Sequence, residues 1–295
     1  MERTDRPTSP VPGVPPTVPE VAPTVPGVPP TVPGAATKTL PRVAAAAVGI
    51  LATVLALAVP AVVAQADPPP NLPQNATGTE QSFSPAYDYD GDGCYATSAI
   101  GPDGTLATGL AIGGAVNGNC RDQWDLDASQ TYSREKCNNG WCAVMYASYF
   151  EKDQTMDGPV AVGSHRHDWE HVVVWVDQST NQVEHVSITE HSGSATYPRS
   201  QVRFEGSHPK IVYHKDGPST HLFRLANGND DPPENHYGTW RYPPLVGWDG
   251  WPSTSLRDRL MTADFGGATI KIDDGDFTYW LERMKPAGIP FDPAA

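Results

Sequence analysis

The sequence predicts a mainly β protein, an antiparallel β-sandwich with helices confined to its C-terminal part. Three observations carry that expectation. From residue 86 onward, short apolar runs are broken by Gly, Pro, Asn and Asp at intervals that suit strands and turns. An apolar stripe of helical period appears only late, at Phe277, Trp280, Leu281 and Met284. All four cysteines, Cys94, Cys120, Cys137 and Cys142, follow an apolar leader, as in a disulfide-bonded exported domain.

In chain order, residues 1–37 are a Pro-rich extension in which Pro12–Pro19 recurs as Pro26–Pro33. Proline at this density removes backbone donors and leaves extended, unpacked chain. A start codon placed too early would account for such a stretch ahead of a leader. Residues 38–66 read as a signal peptide: Lys38 and Arg42, an uncharged run from Val43 to Val63, then Ala64-Gln65-Ala66 in small-x-small form. An uncleaved signal-anchor is the alternative, since the run is long enough to span a bilayer, which takes roughly 20 residues. Residues 67–85, rich in Pro, Asn, Thr and Ser, read as a flexible lead-in, and residues 86–295 as the folded domain.

Within that domain the expected strands are 143–150, 171–176, 183–188, 210–214 and 221–226. Ser253-Thr254-Ser255 can cap a helix to about Met261, and Asp276 one to about Met284. Of the three possible cysteine pairings, Cys94–Cys120 with Cys137–Cys142 is favoured, because Asn138-Asn139-Gly140 supplies a tight turn for the short loop.

The chain carries 34 acidic and 20 basic residues, a net charge of −14. Without residues 1–66 it is about −15. That excludes the positive footprint of a nucleic-acid binder and simple adsorption to anionic lipid. No G-x-S-x-G elbow, phosphate loop, dinucleotide fingerprint or H-E-x-x-H motif is present.

Two motifs can hold a cation. His165-Arg166-His167-Asp168-Trp169-Glu170 precedes a Val-rich strand. Asp168 and Glu170 fall on one strand face and His167, Trp169 and His171 on the other, with His165 able to swing in from the loop. Asp153 can add a third carboxylate. One imidazole with carboxylates suits a divalent cation with water-filled positions. An ion-pair network among Arg166, Asp168, Glu170 and the histidines is the rival reading. The second motif, Asp88-Tyr89-Asp90-Gly91-Asp92-Gly93, opens like a calcium loop, but Ala99 stands where an EF-hand needs Glu. It is a weak calcium site or an Asp-Gly turn. The aromatic stretch from Trp240 to Trp251 offers a stacking surface for sugars or a membrane wedge, with Leu245, Val246 and Trp248 expected in the core.

The segments Ala143-Val144-Met145-Tyr146, Tyr149-Phe150, Lys152-Asp153 and His165–Glu170 together resemble the signature of the necrosis- and ethylene-inducing peptide-like proteins, secreted microbial cytolysins active on plants. The family signature is G-H-R-H-D-W-E, and Ser164 occupies the Gly place. Thr220-His221-Leu222, Pro244–Trp248, Asp264–Ala268, Asp273 and Phe277 resemble its later segments, and the Asp88–Cys94 run with the second cysteine pair its four-cysteine branch.

The resemblance implies a β-sandwich with flanking helices, akin to actinoporins and fungal lectins. It implies a divalent cation, Mg2+ or Ca2+, held by Asp153, His165, Asp168 and Glu170, with His221, His167 and Arg166 around the cavity. It implies binding of glycosylated inositol phosphoryl ceramide headgroups at plant plasma membranes, membrane damage without enzymatic turnover, and detection of the 143–170 stretch by plant immune receptors. A secreted, monomeric protein is expected. Two alternatives stand beside this: a metal-dependent hydrolase using Glu170 or His167 as general base, and a lectin or immune-elicitor module without lytic power. Ser164 and the long 154–163 loop are departures that bear on toxicity.

Overall fold

The computed structural model describes residues 67–159 and 162–295. The Pro-rich extension 1–37 and the signal peptide 38–66 lie outside the described residues. No helix among those described is long and apolar enough to cross a membrane.

Two sheets form the sandwich. The larger has six strands in the order β10-β2-β3-β4-β5-β6. These are β2 (Thr131–Asn138), β3 (Trp141–Asp153), β4 (His165–Asp177), β5 (Gln182–Glu190), β6 (Gly193–Pro198) and β10 (Leu245–Gly247). The smaller holds β1 (Ala86–Tyr89), β7 (Phe204–Glu205), β8 (His208–Lys215) and β9 (His221–Leu225), with β8 pairing all three others. Neighbours are antiparallel, as expected, except that β1 joins β8 and β10 joins β2 in parallel. Those exceptions arise because each pair is joined through a long excursion of chain instead of a hairpin.

The five strands read from sequence all form, with longer bounds for β3 and β4. Both are buried on both faces. Val144, Tyr146, Phe150, Val172 and Val174 pack between the sheets against Tyr89, Tyr213 and Phe223. Met145, Tyr149, Trp169, Val173 and Trp175 pack outward under the C-terminal segments. Two-sided burial is why Val172–Val176 reads as an unbroken apolar run instead of an alternating one. The cover includes helices α3 (Thr254–Met261) and α4 (Phe277–Met284), which bury Leu256, Leu260, Phe277, Leu281 and Met284. Ser253 caps α3 by accepting the Leu256 N–H. Asp276 stands at the start of α4 without a side-chain cap bond.

Two short helices, α1 (Gly78–Ser82) and α2 (Gln123–Asp127), were not expected. The first corrects the reading of residues 67–85 as a flexible lead-in. Leu72, Glu80 and Phe83 are buried there. Thr77 and Glu80 make a capping box, and Asn75 exchanges backbone hydrogen bonds with β10. A polar composition hid the anchoring, because much of it is done by backbone and carboxylate hydrogen bonds. Ser133 Oγ, for instance, donates to Glu80 at 2.9 Å.

The disulfides are Cys94–Cys120 and Cys137–Cys142. In the aromatic stretch, Trp240, Leu245 and Val246 are buried. Trp248, expected in the core, is only half-buried, held between the Arg134 and Arg257 guanidinium groups at 3.8 and 4.2 Å. Trp251 stacks on Tyr132.

Candidate metal centre

The hairpin of β3 and β4 builds the site. Asp153 ends β3 and pairs in register with His165, which opens β4. In a regular strand His165 and Asp168, three apart, would face opposite sides. His167 adopts φ 62°, a left-handed conformation, and this breaks the alternation. Asp153, His165 and Asp168 thereby each offer a ligand atom, all within 4.8 Å of one another. It is the one such cluster among the described residues.

Each side chain is fixed by its neighbours. His165 Nδ1 lies 2.8 Å from the His167 carbonyl oxygen, so the Nδ1–H tautomer donates there and leaves Nε2 to the cluster. Asp153 is buried and accepts from the His221 backbone N–H at 2.9 and 3.0 Å and from His221 Nδ1 at 2.7 Å. Asp168 is buried and accepts from the Tyr213 hydroxyl at 3.2 Å. Glu170 falls outside the tight cluster and accepts from the Thr189 hydroxyl. It still lines the same cavity, of about 540 Å³, together with His221, Lys271 and Trp280.

The electrostatics favour a cation. Burial, then the neighbouring Asp153 carboxylate, push Asp168 up to about 6. Burial and Asp168 likewise raise Glu170, against the hydrogen bond from Thr189 and the charge of Lys271. Burial in turn holds Lys271 below the usual lysine range, so this ammonium is a weak counterweight. Carboxylates crowded in this way gain from a compensating positive charge. A buried imidazole atom, His221 Nε2, has no hydrogen-bond partner and lies 3.7 Å from Asp92. Oxygen donors with one imidazole and an open cavity fit a hard dication that keeps part of its water shell.

Other expected site residues lie elsewhere. The left-handed turn at His167 sends its ring away from the cavity, where Nδ1 lies 2.6 Å from the Tyr149 hydroxyl and the ring packs on Phe265. Arg166 is exposed and donates to the Thr108 carbonyl at 3.3 Å. Neither borders the cavity, and His167 is poorly placed as a base for a reaction there. Asp88, Asp90 and Asp92 diverge. Asp88 accepts from the Asn235 side chain and the Glu234 N–H, Asp90 pairs with Arg224, and Asp92 is half-buried, 3.7 Å from His221. The Gly93 N–H donates to the Asp90 carbonyl at 2.8 Å, so the Asp-Gly turn forms. Lys271 and Trp280 were missed by sequence reasoning, because they reach the cavity from far along the chain.

The residue in the signature's glycine place takes an ordinary backbone conformation. Gly163 supplies the left-handed φ of 87° at this turn. Ser164 Oγ accepts the Thr155 N–H at 2.9 Å, closing the base of the 154–163 loop.

Comparison with known proteins agrees with this fold and hairpin. Residues 77–284 match the family model described as necrosis inducing protein (NPP1). Necrosis-inducing protein NPP1 of Phytophthora nicotianae is 31% identical over 242 residues, covering 77% of this chain and 95% of that one. NLP effector protein 10 of Phytophthora capsici is 32% identical over 190 residues, covering 63% and 74%. Among solved structures, NLPPya in complex with mannosamine superposes with a TM-score of 0.61 at 30% identity, over 73% of this chain and 95% of that one. A protein described as non-toxic HaNLP3 gives 0.61 at 26% identity, over 75% and 98%. With two thirds and more of the chain matched, sandwich and hairpin included, the protein belongs to the necrosis-inducing protein (NPP1) family.

Proposed function

We propose that the protein is an exported, cation-dependent cytolysin that grips the sugar headgroups of plant glycosylated inositol phosphoryl ceramides and damages the membrane. The observation that carries this reading is the convergence of Asp153, His165 and Asp168 at an open cavity. Necrosis-inducing relatives and an amino-sugar complex of a structural neighbour support it.

A Mg2+ or Ca2+ ion held there would supply a Lewis-acidic point for vicinal sugar hydroxyls. The protein's own residues do the rest. Asp153 is held rigid by three hydrogen bonds from His221, and His165 is oriented by its bond to the His167 carbonyl. Glu170 and Lys271 add an acceptor and a donor on the cavity wall, and Trp280 an aromatic surface for a sugar face. Because the mature chain is strongly acidic, headgroup recognition replaces charge attraction as the route to the membrane.

The test is dye release from vesicles containing plant glycosylated inositol phosphoryl ceramide. Asp168→Ala should lose leakage at least tenfold while keeping its circular dichroism spectrum, and chelation should silence the unaltered protein. Undiminished leakage in both arms would remove the mechanism. A non-lytic lectin or immune-elicitor role is the second reading, favoured by the shared fold of a non-toxic neighbour. Headgroup binding without leakage would select it.

A further inference from the structure

Among the described residues every lysine but one has an oxygen partner. Lys136, Lys152, Lys215 and Lys285 donate to main-chain carbonyls, and Lys210 pairs with Asp231 and Glu205. Lys271 is the exception. Its ammonium group donates to no carbonyl and has no carboxylate within ion-pairing distance among the described residues. The contact it does make is with the face of Trp280, 4.9 Å from Nζ to the ring centroid. Yet the residue is only 8% exposed. A buried ammonium with idle donors is unfavourable, and a cation–π contact offsets only part of that cost.

The fold holds this amine in place. The Lys271 N–H donates to His171 Nε2 at 2.9 Å, and Ile270 and Ile272 on either side are buried, so the main chain here is pinned to β4. The side chain borders the cavity onto which Asp153, His165 and Asp168 open, and it is the one Lys or Arg side chain to do so among the described residues. Glu170 borders the same cavity but accepts from Thr189, and forms no ion pair with Lys271. The cavity therefore offers a ligand two separate attractions, a cluster that suits a dication and a lone ammonium group. Sugar hydroxyls satisfy the first. The second favours an oxygen that carries negative charge, because a charge-assisted hydrogen bond is about twice as strong as a neutral one. Burial disfavours the charge on Lys271, and an arriving carboxylate restores it. One ammonium matches one negative charge. The second charge of a phosphate monoester would meet the Asp168 and Glu170 carboxylates in the same cavity.

We propose that the cavity takes a uronic acid residue, with the sugar hydroxyls directed to the cation cluster and the sugar carboxylate to Lys271. This deepens the headgroup reading by naming the class of sugar, and it rests on that reading for the cavity being a sugar site. Lys271 is the specificity-determining residue, since it separates an acidic sugar from a neutral one. A neutral hexose leaves the buried ammonium without a charged partner, and a site with an unmet buried polar group discriminates against such a ligand. Trp280, in contact with the amine, keeps its ring at the cavity for the apolar face of the same sugar.

The test is calorimetry of the full chain in Mg2+ with methyl glucuronide, methyl galacturonide and methyl glucoside. The better of the two uronides should bind about tenfold or more tighter than the glucoside. That ratio should fall to about one in Lys271→Gln and persist in Lys271→Arg, which keeps the charge. A ratio near one in the unaltered protein would overturn the proposal. So would a ratio that survives Lys271→Gln, because the carboxylate would then be read by the cation alone. Should Lys271→Gln not fold, acetylation of the unaltered protein, followed at each lysine by mass spectrometry, decides. Saturating uronide should slow acetylation of Lys271 about tenfold or more and leave Lys215 unaffected, whereas equal protection of Lys271 by the glucoside would overturn the proposal. No arm depends on leakage. A Lys271-dependent preference that survives chelation would leave this inference standing and remove the cation-dependent reading, and equal affinities with chelator-sensitive binding would do the reverse.

Discussion

Asp88, Asp90 and Asp92 are near neighbours in sequence, whereas Asp153, His165 and Asp168 come from two strands, β3 and β4. The compact motif disperses in the fold, with Asp88 taken by Asn235, Asp90 by Arg224, and Asp92 left 3.7 Å from His221. The scattered set converges to within 4.8 Å. The difference lies in what each backbone does next. The first run is a turn whose Asp side chains staple distant loops, with Asn235 and Arg224 as their anchors. The second is the end of a hairpin in which cross-strand register and one left-handed residue overrule alternation. Spacing along a chain is thus weaker evidence for a cation site than a hairpin that closes on itself.

The sharpest way to break this comparison is a pair of charge removals. Asp168→Asn should weaken Ca2+ or Mg2+ binding at least 100-fold by calorimetry. Asp90→Asn should leave that affinity within about twofold and instead cost about 1 kcal/mol of stability in urea unfolding, by loosening its ion pair with Arg224. Comparable losses of affinity in the two variants would mean that the turn also takes part.

A smaller effect is expected from pH. Burial places Asp168 at about 6 in the folded protein, above its ordinary 3.8. The cation must displace that proton, so affinity should fall up to about tenfold per unit as pH drops below 6. With no metal bound, the raised value means that the folded state binds the proton more tightly than the unfolded chain does. This contribution to stability is fully present below about pH 4 and is lost as pH rises through about 6. Titrations of affinity and of urea stability from pH 4 to 8 check both, and Asp168→Asn should flatten each.

The smallest effect belongs to Ser164. Ser164→Ala removes an acceptor from the Thr155 N–H and should cost about 1 kcal/mol, read by urea unfolding, with cation affinity little changed.

The strands were legible where burial on both faces left β-branched residues unbroken, as at Val172–Val176, and helix α4 where Phe277, Leu281 and Met284 kept a helical period. Strand β2 was not legible. The face it turns to the C-terminal segments carries Arg134 and Lys136 beside Tyr132, their charges bonded to the Ile272 and Pro293 carbonyls, so no apolar alternation marks it. In the candidate site, residue types and strand alternation named His165, Asp168 and Glu170, with Asp153 as a further carboxylate, and the family resemblance added His221. Alternation already put His167 on the face away from Asp168 and Glu170, but its left-handed φ, which brings His165 to the side of Asp168, leaves no pattern in the letters around it. Lys271 and Trp280 were beyond reach for another reason: they meet the hairpin only through tertiary packing.

That late arrival has a consequence for timing. The ligand hairpin is complete once residue 170 has been made, but the wall carrying Lys271 and Trp280 belongs to the last stretch of chain. A growing polypeptide therefore carries the candidate ligands long before it has the cavity they border, so the site is completed only when the last stretch of chain packs onto the hairpin.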